Sequence, residues 1–233
     1  MSRPPGAVEK VLPSYRKTRM SPLQQELNTF MDGVRTQVPA EILQAVDQAY
    51  GALVKSNLFD QALKVGDKVP DFELPNAHGV PVALATLLQH GPVVLSFYRG
   101  AWCPFCNIEL RTLQAALPDL RAHHANVVAV SPELPDYSLP LIERQGLAFE
   151  VLTDHGNALA RKFGLSFALE GELKRISAEV FGVDLPKFNG DASWEIPVPA
   201  TYVIGSDGVI LLAYVDPQFR NRLDPASILQ VLA

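Results

Sequence analysis

The run Pro92-Val-Val-Leu-Ser-Phe-Tyr98 is apolar at almost every position and far too short to be a membrane span. A run of this length and character suits a strand buried on both faces, as at the centre of a parallel sheet. Such a strand needs helices above and below it, so the chain around it should alternate strand and helix. From Val65-Gly66-Asp67 onward it does. Candidate strands lie at 71–74, 93–98, 127–131, 150–152, 201–204 and 209–215, and candidate helices at 105–122, 137–145, 156–163, 170–181 and 225–232. Pro118 predicts a kink or a break in the first of these helices. The stretch from Gly182 to Pro199, with its prolines and glycines, reads as a long surface loop.

Upstream of residue 62 the pattern is different. Residues 1 to about 20 carry Pro4, Pro5 and Pro13 without apolar periodicity and read as a loose arm. Two amphipathic helices follow, one with Leu23, Leu27, Phe30, Met31 and Val34 on a face, the other with Ile42, Leu43, Val46, Tyr50 and Leu53. These stripes predict packing against the main domain or, in a homo-oligomer, against a second subunit, in preference to a ligand-binding role. The chain thus divides into an N-terminal arm and helical extension, 1–62, and an α/β domain, 63–233.

Composition removes several function classes. The chain has 233 residues, 48% of them hydrophobic and 19% charged, enough to bury a full core without disulfide staples. The formal net charge is −5 and no basic run stands out, which argues against nucleic acid or an anionic membrane as a partner. The N-terminus lacks the continuous apolar core of a secretory signal, so a cytoplasmic location is the expectation. The 2 cysteines, Cys103 and Cys106, lie within one helical turn of each other. In a reducing compartment such a pair reads as reactive chemistry or a metal clip. Structural zinc wants four ligands, and the histidines show no ligand spacing, so no metal is expected.

The sequence Phe97-Tyr-Arg-Gly-Ala-Trp-Cys103-Pro-Phe-Cys106-Asn-Ile-Glu-Leu runs from the buried strand into a helix. Cys103 then falls at the helix N-terminus, where free N–H groups and the helix dipole favour a negative sulfur. A thiol of pKa about 8.5 is only a few per cent ionised at neutral pH, whereas one lowered to about 7 is half ionised. Cys106, one turn on, can attack a mixed disulfide on Cys103 and release the partner. The pair can cycle two electrons without a metal or organic cofactor. Glu109, in the first turns of this helix, reads as a solvated carboxylate rather than a proton carrier.

Trp102-Cys103-Pro-Phe-Cys106 resembles the thioredoxin active-site motif, and Val198-Pro199-Ala-Thr-Tyr-Val-Ile resembles the cis-proline segment that faces it. With Phe97-Tyr98, Cys106-x-x-Glu109, Val127-Val-Ala-Val-Ser-Pro132 and Leu152-Thr-Asp154, the region 65–215 resembles the alkyl hydroperoxide reductase and thiol-specific antioxidant family, in its peroxiredoxin-like group. The resemblance implies a thioredoxin-like α/β fold, a central mixed β-sheet flanked by helices. It also implies thiol-disulfide or hydroperoxide chemistry at Cys103 and Cys106, with a reductant such as thioredoxin or glutathione. Trp102 and Pro199 become candidate substrate-contact residues. The family pattern Pro-x-x-x-Thr-x-x-Cys is altered: Arg99 stands at the Pro position, Cys103 at the Thr position, Cys106 at the peroxidatic cysteine, and Pro199 about where a later arginine is expected. Proline brings no charge to the sulfurs, which leaves Arg99 as the candidate cation. The two templates name different nucleophiles. Thioredoxin implies Cys103, favoured here for disulfide exchange as the more exposed position, and peroxiredoxin implies Cys106 with Cys103 resolving. The rival from another class is a redox-silent scaffold that uses the fold only to bind a partner.

Overall fold

A computed structural model describes residues 21–233, so the arm read at the N-terminus lies outside the described residues. The described residues open with helices α1, Pro22–Gln37, and α2, Ala40–Lys55. Ser21 caps α1 by accepting the Gln24 N–H, and Pro22 sits in the first turn, where its missing N–H is no loss. The apolar stripes fall as expected, with Leu23, Leu27 and Met31 of α1 and Val46 and Tyr50 of α2 buried.

A short antiparallel hairpin follows, β1, Glu73–Pro75, and β2, Pro81–Ala83, leading into α3, Leu84–His90. Strand β3, Val93–Phe97, then feeds α4, Pro104–Ala122. Next come β4, Asn126–Ser131, α5, Pro135–Gln145, β5, Glu150–Thr153, and α6, Ala158–Lys162. Beyond these, β6, Ser166–Ala168, precedes α7, Gly171–Arg175, which continues into a π-turn, Ile176–Val180. The chain closes with α8, Leu185–Asn189, β7, Glu195–Pro197, β8, Ala200–Ile204, β9, Ile210–Val215, and α9, Pro225–Leu232.

Five strands form the central sheet in the order β5-β4-β3-β8-β9. Strands β3, β4 and β5 run parallel, while β8 is antiparallel to β3 and β9 to β8. The mixed sheet flanked by helices is the expected thioredoxin-like architecture. Every residue of β3 is buried, and its side chains alternate between two cores. Val94 joins Leu110, Leu113, Leu117 and Leu120 of α4, together with α1 and α2. Leu95 and Phe97 join Val128, Val130, Tyr202 and Phe163 on the opposite face.

One local expectation is corrected, and another, the kink or break at Pro118, is narrowed. The segment from Gly182 to Pro199 is no surface loop: it carries α8 and β7, because Leu185, Ile196 and Val198 are buried in the core and Asp184 caps α8 through the Lys187 N–H. Helix α4 passes through Pro118 without a break.

Candidate active site

Strand β3 ends at Phe97 and α4 begins at Pro104, so residues 98–103 turn the chain from sheet to helix. Gly100 makes the turn with φ of 140°, and a Cβ there would lie 2.3 Å from Trp102 Nε1. Glycine is therefore required on both conformational and steric grounds. The Cys103 N–H donates to the Gly100 carbonyl at 3.1 Å, which closes the turn. Cys103 is the N-cap of α4 in extended conformation, and Cys106 lies in the first turn. Both thiols are free. The helix-start placement read from the sequence is thus present.

The exposure expected of Cys103 is not. Cys103 is 2% exposed and Cys106 is fully buried, because α1, α2 and Phe219 cover the helix start. What distinguishes the two sulfurs is a cavity of about 240 Å³ enclosed mainly by α1, α2, the π-turn and Phe219. Cys103 lines it together with Arg99 and Trp102, and Cys106 does not.

Cys106 is held from behind. Its Sγ accepts the Arg99 backbone N–H at 3.4 Å and the Arg222 Nη2 at 3.3 Å. Arg222 donates its other arm to Glu109 Oε2 at 3.0 Å, and Thr201 Oγ1 donates to Glu109 Oε1 at 3.4 Å. Glu109 is accordingly no solvated carboxylate but one half of a buried ion pair, since Arg222 arrives from the segment after β9 to meet it. Arg222 is also the charge that Pro199 does not provide. Sequence reasoning missed it because it is 116 positions from Cys106 in the chain and carries no local motif.

Pro199 is not the cis proline that the resemblance implied. No cis peptide bond occurs among the described residues, so the Val198–Pro199 bond is trans. Pro199 stands at the entrance to β8, where a residue without N–H is tolerated, and it does not line the cavity at Cys103. Trp102 and Arg99 do come together. The Arg99 guanidinium lies 4.7 Å from the Trp102 ring centroid and 4.5 Å from that of Phe219, with Tyr50 at 5.9 Å.

These charges decide the ionisation of the pair. Burial opposes charge on Cys103, but a hydrogen bond from Cys106 and the charges of Arg99 and Arg222 outweigh it and hold Cys103 well below the ordinary thiol range. Burial and the neighbouring Cys103 hold the Cys106 proton well above that range, against the pull of Arg222 and Arg99. The dithiol therefore loses one proton readily and keeps the other. Glu133, which the sequence did not single out, is buried beneath the turn and accepts the Ala101 N–H at 2.8 Å. Burial, only partly offset by the N–H groups of Ala101 and Trp102, pushes its carboxyl up to about 7.

Residues 65–213 match the AhpC/TSA family. Among curated relatives, a Mycobacterium tuberculosis protein named provisionally as a peroxiredoxin is 32% identical over 122 residues, 52% of this chain and 79% of that one. Peroxiredoxin Bcp of Escherichia coli is 30% identical over 103 residues, 44% of this chain and 65% of that one. Among solved structures, the peroxidoxin BcpB of Mycobacterium tuberculosis superposes with a TM-score of 0.59 at 25% identity, covering 73% of this chain and 96% of that one. Peroxiredoxin Q of Xanthomonas campestris gives a TM-score of 0.53 at 18% identity, over 76% and 92% of the two chains, and supports the fold alone. Helices α1 and α2 lie outside the matched residues. With the match spanning the sheet, the cysteine turn and α4, the chain belongs to the AhpC/TSA family, among proteins of peroxiredoxin type.

Proposed function

We propose that this chain is a thiol-dependent antioxidant oxidoreductase in which Cys103 attacks a hydroperoxide and Cys106 resolves the product. The observation that carries the assignment is that Cys103 alone of the two sulfurs meets the cavity. The Cys103 thiolate attacks the distal oxygen of ROOH: the S–O bond forms, the O–O bond breaks, and the departing alkoxide takes up a proton to leave as ROH. Arg222, beside both sulfurs, stabilises the charge that grows on the departing oxygen. Cys106 then attacks the Cys103 sulfenic acid, forming the S–S bond and releasing water. An external thiol donor, such as thioredoxin or glutathione, returns the two electrons by exchange. This cycle suits a reducing compartment such as the cytoplasm. The same dithiol reduces small disulfides when one enters the cavity in place of a peroxide.

The test is the pair of serine variants. Cys103→Ser should stop peroxide consumption, whereas Cys106→Ser should consume one equivalent and accumulate a sulfenic acid on Cys103 detectable by mass spectrometry. A second reading is favoured by the 3.3 Å contact of Arg222 with Cys106: here Cys106 attacks and Cys103 resolves. That order would leave peroxide consumption in Cys103→Ser, with the sulfenic acid on Cys106.

A further inference from the structure

The cavity beside Cys103 is largely apolar. Its walls come from Met31, Val34, Val46, Phe105 and Phe181 among others, and the cation of Arg99 is set among them. Arg99 is 6% exposed. Among the described residues it reaches no carboxylate, its Nε has no hydrogen-bond partner, and its neighbours are the ring faces of Trp102, Phe219 and Tyr50. The other two arginines nearby are occupied: Arg222 by Glu109 and Arg220, also on the cavity wall, by Asp47. A buried guanidinium stacked on rings keeps most of its charge unmatched, because ring quadrupoles supply only part of what a counter-ion does.

Burial apart, Arg99 is coupled first to Tyr50, whose buried phenol keeps its proton, and then to Cys103 and Cys106, so in the dithiol state the matching charge comes from the ionised sulfur. In the disulfide state both sulfurs are neutral. Arg99 then faces the cavity without an anion.

We propose that this cavity is a redox-dependent binding site for an organic monocarboxylate with an apolar body, its carboxylate on Arg99 and its chain between α1, α2 and the π-turn. The inference rests on the reading above only in requiring that the pair forms a disulfide. At about 240 Å³ the space is smaller than a typical ligand site, so it takes a short-chain acid or the head of a longer one. The carboxylate supplies in the oxidised protein the charge that the thiolate supplies in the reduced one. Linkage is reciprocal, so an acid that prefers the disulfide state also stabilises that state against reduction. A tenfold preference corresponds to a potential about 30 mV more negative.

The experiment uses the full chain with octanoate and octanol as probes. Calorimetric titration of the oxidised protein should show octanoate binding at least tenfold more tightly than octanol. Reduction to the dithiol should weaken octanoate at least tenfold and leave octanol unchanged. A redox titration with saturating octanoate should move the midpoint negative, and octanol should not. Arg99→Gln should abolish the preference for acid over alcohol. Leu43→Trp, on the cavity wall contributed by α2, should weaken both probes, and unchanged octanoate binding in it overturns the proposal even if Arg99→Gln does not fold. Equal binding of acid and alcohol, or an acid preference that survives in Arg99→Gln, overturns the proposal. These readouts measure binding and potential, so a protein that binds octanoate in this way but consumes no peroxide overturns the peroxidase reading alone.

Discussion

Replacing Glu133 with glutamine isolates the energetics of the turn that presents Cys103. The parent carboxyl is held protonated up to about pH 7 in the folded chain, while in the unfolded chain it ionises near its ordinary value of 4.5. Between these values the folded state binds a proton that the unfolded state has released. Raising the pH through this window therefore removes stability, and none of the effect is present below the unfolded value. At 1.36 kcal/mol per pK unit, a displacement from 4.5 to about 7 removes about 3 kcal/mol by pH 8. Glutamine has no such proton to lose and keeps an oxygen to accept the Ala101 N–H. Urea unfolding of the reduced proteins at pH 5 and pH 8 should show the parent losing about 2 to 3 kcal/mol more than the variant over that interval. Parallel stability curves for parent and Glu133→Gln would refute the reasoning and place the carboxyl in an ordinary, solvated state.

Two further substitutions follow from the buried contacts. Glu109→Ala leaves Arg222 buried without its carboxylate, and unfolding should show a loss of about 3 to 5 kcal/mol, the usual result of removing one partner of such a pair. Phe105→Ala removes the ring that meets Phe30 and Phe219 edge-on at 5.2 and 5.3 Å. It should cost about 3 to 5 kcal/mol in the same assay, and a double-mutant cycle with Phe30→Ala should return a coupling of about 0.5 to 1.5 kcal/mol.

The parts of the fold legible in the sequence are those whose signal is long and one-sided. The continuous apolar run at β3, the leucine face of α4 and the stripes of α1 and α2 each repeat one period over several turns or pleats. The three-residue strands β2, β6 and β7 and the short helices α3 and α8 hold too few residues to show any period. At the site the cysteine pair and its place at the helix start were legible because strand, turn and helix are contiguous. Glu109 was misread because an acidic residue near a helix start is ordinarily solvated, and nothing nearby announces that Arg222 will cover it. Glu133 and Arg222 are brought to the cysteines by the sheet order, which joins segments far apart in the chain. The exposure of Cys103 was misjudged for a related reason: the roof over it joins helices that precede the α/β domain to the π-turn and Phe219 from its far end.

That roof imposes a size limit on whatever regenerates the enzyme. With Cys103 2% exposed beneath α1 and α2, a small thiol need only enter the cavity, whereas a folded donor protein would have to displace those helices to reach the sulfur. Recycling by such a donor would then require those helices to part, and it would run no faster than they do.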